Sequence, residues 1–110
     1  MSSGSSLEKI MENLSRLYEF TTELGALPIA CSLTGIGGPY RANDAIRTLN
    51  QRILHHCKEN NIIFADLYAA TIGSKGSLNQ KYSNDGVHLS DLGYDVVADA
   101  LFTEVFENIL

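Results

Sequence analysis

The chain has few basic residues and no long apolar run. Its 110 residues include 8 Lys and Arg against 13 Asp and Glu, which gives a formal net charge of −5. This acidic balance disfavours binding to nucleic-acid backbones and to anionic membrane surfaces, both of which attract basic faces. None of the apolar runs approaches the roughly 20 residues that a membrane-spanning helix requires. We therefore expect no nucleic-acid partner and no membrane span.

Cysteine is also scarce, since Cys31 and Cys57 are too few for a disulfide framework. We expect both to be reduced, buried thiols in a protein that is cytoplasmic by default. The opening MSSGSS lacks the charged start and apolar core of a signal peptide, and we interpret residues 1–6 as a flexible leader. Secretion stays open as an alternative, because a signal could have preceded Met1.

Apolar periodicity divides residues 7–110 into alternating helices and strands that form one domain. This alternation predicts parallel strands joined by crossover helices, which is the α/β fold class. The last helix carries a second apolar stripe, which we attribute to packing within the chain, with a partner surface as the alternative. The predicted elements are a helix at Leu7–Leu24, a strand at Pro28–Leu33, a helix at Ala42–Asn60, a strand at Ile62–Leu67 and a helix at Leu92–Leu110, with loops at 34–40 and 71–84.

The segment NDGVHLSDLGY, residues 84–94, holds the residues most suggestive of catalysis. Asp85 and His88 lie three positions apart across Gly86, which allows a tight turn. A carboxylate on one imidazole nitrogen fixes the tautomer and leaves the other nitrogen free to take a proton from a hydroxyl. Ser90 and Asp91 follow as helix N-cap candidates. This arrangement predicts half of a catalytic triad, although an ordinary helix cap with a partly buried histidine is the alternative.

Two neighbouring residues are the local candidates for a nucleophile. Ser32 lies near the carboxyl end of a predicted strand, where open α/β sheets place their sites. It lacks a sharp nucleophile turn, so an ordinary strand residue is the competing interpretation. Cys31 is expected to face the opposite way, because strand side chains alternate, and to be a packed thiol.

A metal site is the remaining local possibility, since Asp85, His88, Asp91 and Asp95 could together hold a divalent ion. Acidic residues in the first turn of a helix are, however, already favoured by the helix dipole. The adjacent His55 and His56 point in different directions on a helix, whereas metal ligands share a face. We therefore predict no metal and no cofactor.

The longer string DGVHLSDLGYDVVADAL, residues 85–101, resembles the last conserved block of the SGNH (GDSL-type) hydrolases. These esterases and lipases carry an Asp-x-x-His near the C-terminus. The glycine after the aspartate, the apolar residue before the histidine, the Leu-Ser after it and the Gly-Tyr at the helix start all match. The segments IACSL, residues 29–33, and DLY, residues 66–68, are similar to later structural parts of the family. The resemblance covers nearly all of residues 7–110.

The resemblance implies a three-layer α/β/α, flavodoxin-like fold with a five-stranded parallel sheet. This chain would hold only its C-terminal part, with about two strands and three helices. His88 would be the general base and Asp85 its orienting acid. The family's nucleophilic serine lies in a GDS block, and a glycine and an asparagine of two further blocks complete the oxyanion hole; none of these blocks is present. The chain is thus expected to be the C-terminal half of an esterase or lipase, inactive alone, whose substrates are small-molecule, lipid or sugar esters.

Two other functions stay open. The chain could be a non-catalytic module that self-associates or binds a partner, or an independent hydrolase that uses another nucleophile. By the resemblance, the strand at Pro28–Leu33 would lack its neighbour on one edge. An open edge is a template for another chain, so we expect a homodimer formed by edge pairing or by exchange of the Leu7–Leu24 helix.

Overall fold

The structure is a computed structural model that describes residues 3–38 and 41–109. Helices and strands alternate up to the second strand, as the periodicity predicts, and the elements described after it are all helical. The helices are α1 at Ser3–Glu23, α2 at Ala42–Asn60, α3 at Leu67–Thr71, α4 at Asp91–Leu101 and α5 at Glu107–Ile109. The strands are β1 at Ile29–Cys31 and β2 at Ile63–Ala65, a 3₁₀ turn spans Gln80–Tyr82, and a π-helical segment at Phe102–Phe106 joins α4 to α5.

The sheet confirms the predicted parallel topology. Strand β1 pairs with β2 in parallel, with Ile29 opposite Ile63 and Cys31 opposite Ala65, and α2 makes the crossover between them. Each strand is only three residues long, shorter than predicted. The ladder ends because the N–H and C=O groups of Leu33 bond to the side chain of Asn50 on α2 instead of to β2.

The core lies between the sheet, α1 and α2. Leu49, Ile53 and Cys57 are buried along one face of α2, as its apolar spacing predicts, and they pack with Ala30 of β1. Full burial of a leucine or isoleucine side chain contributes roughly 1.5–3 kcal/mol each, so this face accounts for much of the docking of α2. The partly buried side chains that complete the cluster are Leu7, Met11, Leu14, Tyr18, Ile62 and Phe64.

The start of α1 differs from the prediction of a flexible leader at residues 1–6. The helix already begins at Ser3, so residues 3–6 are helical. Relative to alanine, a serine costs a helix less than about 0.7 kcal/mol and the glycine at position 4 about 1 kcal/mol, penalties that the packing of Leu7 and Met11 can offset. The first two residues lie outside those that the structure describes.

The prediction that the second apolar stripe of the C-terminal helix packs within the chain is wrong. Val105 is fully buried, but the side chains of Phe102 and Phe106 are 54% and 43% exposed. This helix contacts α3 through α4 and β2 through the π-helical segment, but much of the surface of the two phenylalanines stays uncovered. The predicted stripe consists of Phe102, Phe106 and Leu110, the last of which lies outside the described residues. Within the part of the chain that the structure describes, no helix combines the length and apolar content needed to cross a membrane.

Candidate active site

The turn that carries Asp85 and His88 is a closed loop between the 3₁₀ turn and α4. An antiparallel bridge between Ser83 and Leu89 closes its base. Next to this bridge, the Ser90 N–H donates to the Tyr82 carbonyl at 2.7 Å. The loop is therefore tied at both ends to regular structure.

The start of α4 confirms the capping role predicted for Ser90. Its hydroxyl accepts the Gly93 N–H at 3.2 Å, and Asp91 occupies the first helical turn. A Cβ atom at position 93 would lie 2.5 Å from the carbonyl oxygen of Tyr82, so glycine lets the helix approach the loop closely. This contact gives a physical reason for the glycine of the Gly-Tyr pair at the helix start.

Asp85 and His88 form a hydrogen-bonded acid–base pair. Oδ2 of Asp85 lies 2.7 Å from Nδ1 of His88, and Oδ1 accepts the backbone N–H groups of Val87 at 2.8 Å and His88 at 2.7 Å. Because a carboxylate can only accept, Nδ1 carries the shared proton and Nε2 is left as the basic nitrogen. The His88 side chain is 81% exposed. A reacting group can therefore reach its ring.

Ser83 and Gly86 shape the turn. The buried Ser83 hydroxyl donates to the carbonyl of His88 at 2.6 Å and accepts the Gly86 N–H at 2.8 Å. Gly86 has a φ of +82°, the left-handed region that favours glycine, as its position in the motif predicts. Sequence reasoning missed Ser83, although serine side chains often hydrogen-bond to nearby backbone groups in turns.

The electrostatics of the turn stabilise the ionised carboxylate. The hydrogen bond from the His88 side chain, followed by those from the backbone N–H groups of His88 and Val87, holds the pKa of Asp85 well below its usual range. Asp85 is thus a permanent anion at neutral pH. It is suited to orienting the His88 ring and to stabilising an imidazolium.

Comparison with known proteins identifies the group to which this fold and turn belong. A sequence model of the GDSL-like lipase/acylhydrolase family matches residues 1–96. The chain belongs to this family. A search of curated proteins found no match.

Two solved structures show how much of the fold is present. One is a GDSL-like lipase from Bacteroides thetaiotaomicron, with a TM-score of 0.78 and 30% identity over 94% of this chain. The other, from Bacteroides fragilis and provisionally described as an acylhydrolase, has a TM-score of 0.84 and 23% identity over 94% of this chain. The chain spans 54% and 53% of their respective lengths, about half of each. The sheet is accordingly a partial flavodoxin-like, SGNH-type sheet.

Ser32, the candidate nucleophile in this GDSL-family chain, is held in a structural role. Its hydroxyl, buried at the end of β1, donates to Oδ1 of Asp66 at 2.8 Å and accepts the Tyr68 N–H at 2.8 Å. Asp66 in turn caps α3, a helix that sequence reasoning missed, by accepting the Ala69 N–H. The structure does not bring Ser32 into hydrogen-bond contact with His88.

The two cysteines are free thiols. Burial, followed by the negative charge of Glu104, raises the pKa of Cys31, and burial raises the pKa of Cys57. A raised pKa keeps a thiol protonated and weakens it as a nucleophile. Cys57 is buried in the core as expected, whereas Cys31 is only partly buried.

Of the residues considered as metal ligands, Asp85 and His88 lie together, but as a hydrogen-bonded pair. Among the described residues, no group of three or more His, Cys, Asp and Glu side chains is arranged to hold a metal ion. His55 pairs with Glu59 one helical turn away at 2.7 Å. His56 is partly buried, and its ring lies 5.9 Å from that of Tyr18, centroid to centroid. Both tandem histidines therefore have local partners on or beside α2.

In the Asp85→Asn variant, the free energy of unfolding is expected to fall less with acidification than in the wild type. A lowered folded-state pKa contributes stability that is fully present above the unfolded value, about 4, and is lost as the pH falls towards the folded value. Asparagine cannot ionise. The difference in free energy of unfolding between wild type and Asp85→Asn should therefore be largest near neutral pH and shrink in acid.

Urea unfolding at about pH 7, 4 and 2.5 measures this difference. The exposed Asp95, which lies on α4 outside the turn, provides a matched control through Asp95→Asn. A difference for Asp85→Asn that stays constant across this pH range would contradict the expectation.

Proposed function

We propose that this chain supplies the acid–base half of a serine esterase or lipase of the GDSL family, with His88 as general base and Asp85 as its orienting acid. The observation that carries the proposal is the 2.7 Å contact between Nδ1 of His88 and Oδ2 of Asp85, which leaves Nε2 on an exposed ring. The family match over residues 1–96 supports the choice of acyl-ester hydrolysis over other reactions that use a histidine base.

In this mechanism a serine hydroxyl attacks the carbonyl carbon of an ester while Nε2 of His88 removes the hydroxyl proton. The Asp85 carboxylate stabilises the resulting imidazolium and keeps its Nδ1 proton in place. His88 then returns the proton to the leaving alcohol as the carbon–oxygen bond breaks. Water repeats the sequence on the acyl-enzyme, with His88 again as base, and releases the carboxylic acid.

The nucleophile and the oxyanion hole are proposed to come from a segment outside this chain. No GDS block occurs in the sequence. The hydroxyl of Ser32, the best local alternative, already forms hydrogen bonds with Asp66 and Tyr68. A chain that spans about half of its structural neighbours is consistent with this division. Residues 7–110, extended at their start by the first turn of α1, would then be the C-terminal half of the domain.

A fluorophosphonate probe, which labels activated serines, tests the proposal. We expect no labelling of the isolated chain, because it lacks the activated serine. A chimera in which this chain replaces the matching 54% of the Bacteroides thetaiotaomicron GDSL-like lipase should be labelled on a serine of the lipase segment. Mass spectrometry of the labelled peptide identifies that serine.

The alternatives predict different labelling. Stoichiometric labelling of the isolated chain would favour an independent hydrolase with its own nucleophile. A folded chimera that neither takes the label nor hydrolyses p-nitrophenyl acetate would contradict the proposal.

A second candidate function is a non-catalytic module that self-associates. Exposure of Phe102 and Phe106 on one helix, and of Leu17 and Phe20 on α1, favours it, because contiguous apolar surface is characteristic of interaction sites. Such a module would form a homodimer without taking part in hydrolysis.

A further inference from the structure

The glycine-rich loop after β1 lies directly against the acid–base turn. The Gly37 N–H donates to the carbonyl of Gly86 at 2.7 Å. A Cβ atom on Gly37 would lie 2.9 Å from the Cα atom of Gly86, closer than such atoms can approach without a shift of backbone. Gly86 immediately follows Asp85 in the chain. The contact at position 37 therefore requires a residue without a side chain, and it fixes the backbone next to the carboxylate.

Asn43, in the first turn of α2, fixes the loop on both sides of Gly37. Its Oδ1 accepts the Ile36 N–H at 2.9 Å, and its Nδ2 donates to the carbonyls of Ile36 at 3.0 Å and Gly38 at 3.1 Å. The side chain is buried, and these bonds use both of its N–H groups. Loss of any of them would leave a buried polar group unpaired, which costs about 1–3 kcal/mol.

We propose that Gly37 and Asn43 are positioning residues for the Asp85–His88 pair. Asn43 holds the loop on α2. Gly37, as part of that loop, contacts Gly86 and so fixes where the turn lies relative to α2. That the pair is catalytic rests on the function proposed above. The positioning of the pair by Gly37 and Asn43 does not depend on that function. It can be tested on the chain alone, without any measurement of hydrolysis.

Asn50 provides a matched control because its side chain also bonds to the backbone of the segment after β1, but at a different residue. Two turns further along α2, its Oδ1 accepts the Leu33 N–H at 2.8 Å and its Nδ2 donates to the Leu33 carbonyl at 2.9 Å. It is buried like Asn43, but its partner lies at the end of β1. A similar control for Gly37 is Gly73, where an added Cβ would meet only ordinary contacts of 3.5 Å or more.

The test is a nuclear magnetic resonance titration of the 110-residue chain, with the side-chain carboxyl carbon of Asp85 as the readout. The backbone amide shifts of Val87 and His88, which report their hydrogen bonds to Asp85, provide a second readout at neutral pH. In Gly37→Ala and Asn43→Asp we expect the Asp85 titration to move up towards the ordinary value of about 3.9, and both amide shifts to change. In Gly73→Ala and Asn50→Asp the titration and both amide shifts should match wild type.

Wild-type titration of Asp85 in both Gly37→Ala and Asn43→Asp would overturn the proposal. An equal change in Asn50→Asp would also overturn it, since general loosening of α2 would then explain the effect. If Gly37→Ala does not fold, the comparison of Asn43→Asp with Asn50→Asp decides the matter. A shifted titration together with an inactive chimera would instead refute the proposed function and leave the positioning role intact.

Discussion

Replacing His88 with alanine is expected to lower the kcat of the lipase chimera for p-nitrophenyl acetate by roughly 10⁴-fold. Without an imidazole, no group in the turn can take the proton of the attacking serine, and Asp85 loses the ring that it orients. KM should change much less, because the base acts on the transition state more than on substrate binding. Steady-state kinetics on the folded chimera measure both constants.

His55 provides the control for this substitution. It is an exposed histidine of α2 paired with Glu59, on a different element from the acid–base turn. His55→Ala should therefore leave kcat within about twofold of the parent chimera. Near-normal hydrolysis by the His88→Ala chimera would contradict the assignment of His88 as the base.

Local chemistry explains why the geometry of the acid–base turn could be predicted from the sequence. Asp85, Gly86 and His88 lie within four residues, and their contacts depend on turn formation and on a glycine with positive φ. The N-cap at Ser90 is likewise a bond between residues three positions apart. Such features depend on short-range geometry, which residue types and spacing report directly.

Contacts between distant segments could not be predicted in the same way. The approach of Gly37 to Gly86 and the bond of Ser32 to Asp66 exist only once α2 and the sheet have brought those segments together. Periodicity also shows that a helix face is apolar without showing what covers it. For this reason the burial of Val105 and the exposure of Phe102, on the same helix, could not be distinguished in advance.

The surface of the chain is large for its mass. A folded monomer of 12.0 kDa is expected to expose about 6,000 Å², whereas this chain exposes 7402 Å². Its radius of gyration is 14.7 Å, against about 13 Å for a compact domain of this length. The excess of about 1,400 Å² is larger than the roughly 800 Å² that each partner buries in a standard interface. Much of the exposed apolar surface lies on α1 and on the C-terminal helix.

The isolated chain is therefore expected to be a homodimer, with twice the 12.0 kDa mass in light scattering across micromolar concentrations. Strand β1 pairs only with β2 among the described residues, so its other edge can pair with a second copy. Alternatively, the exposed Leu17 and Phe20 of α1 can pack on the partner through helix exchange.

Two double variants of α1 distinguish these interfaces. Leu17→Glu with Phe20→Glu should dissociate the dimer if α1 forms the interface, because each substitution places a charge in an apolar contact. Asn13→Glu with Thr22→Glu adds the same charge at exposed polar positions of α1 and should leave the dimer intact. A dimer that survives both changes points to the edge of β1. A well-folded wild-type monomer at every concentration would show that the chain needs no second copy to cover its apolar surface.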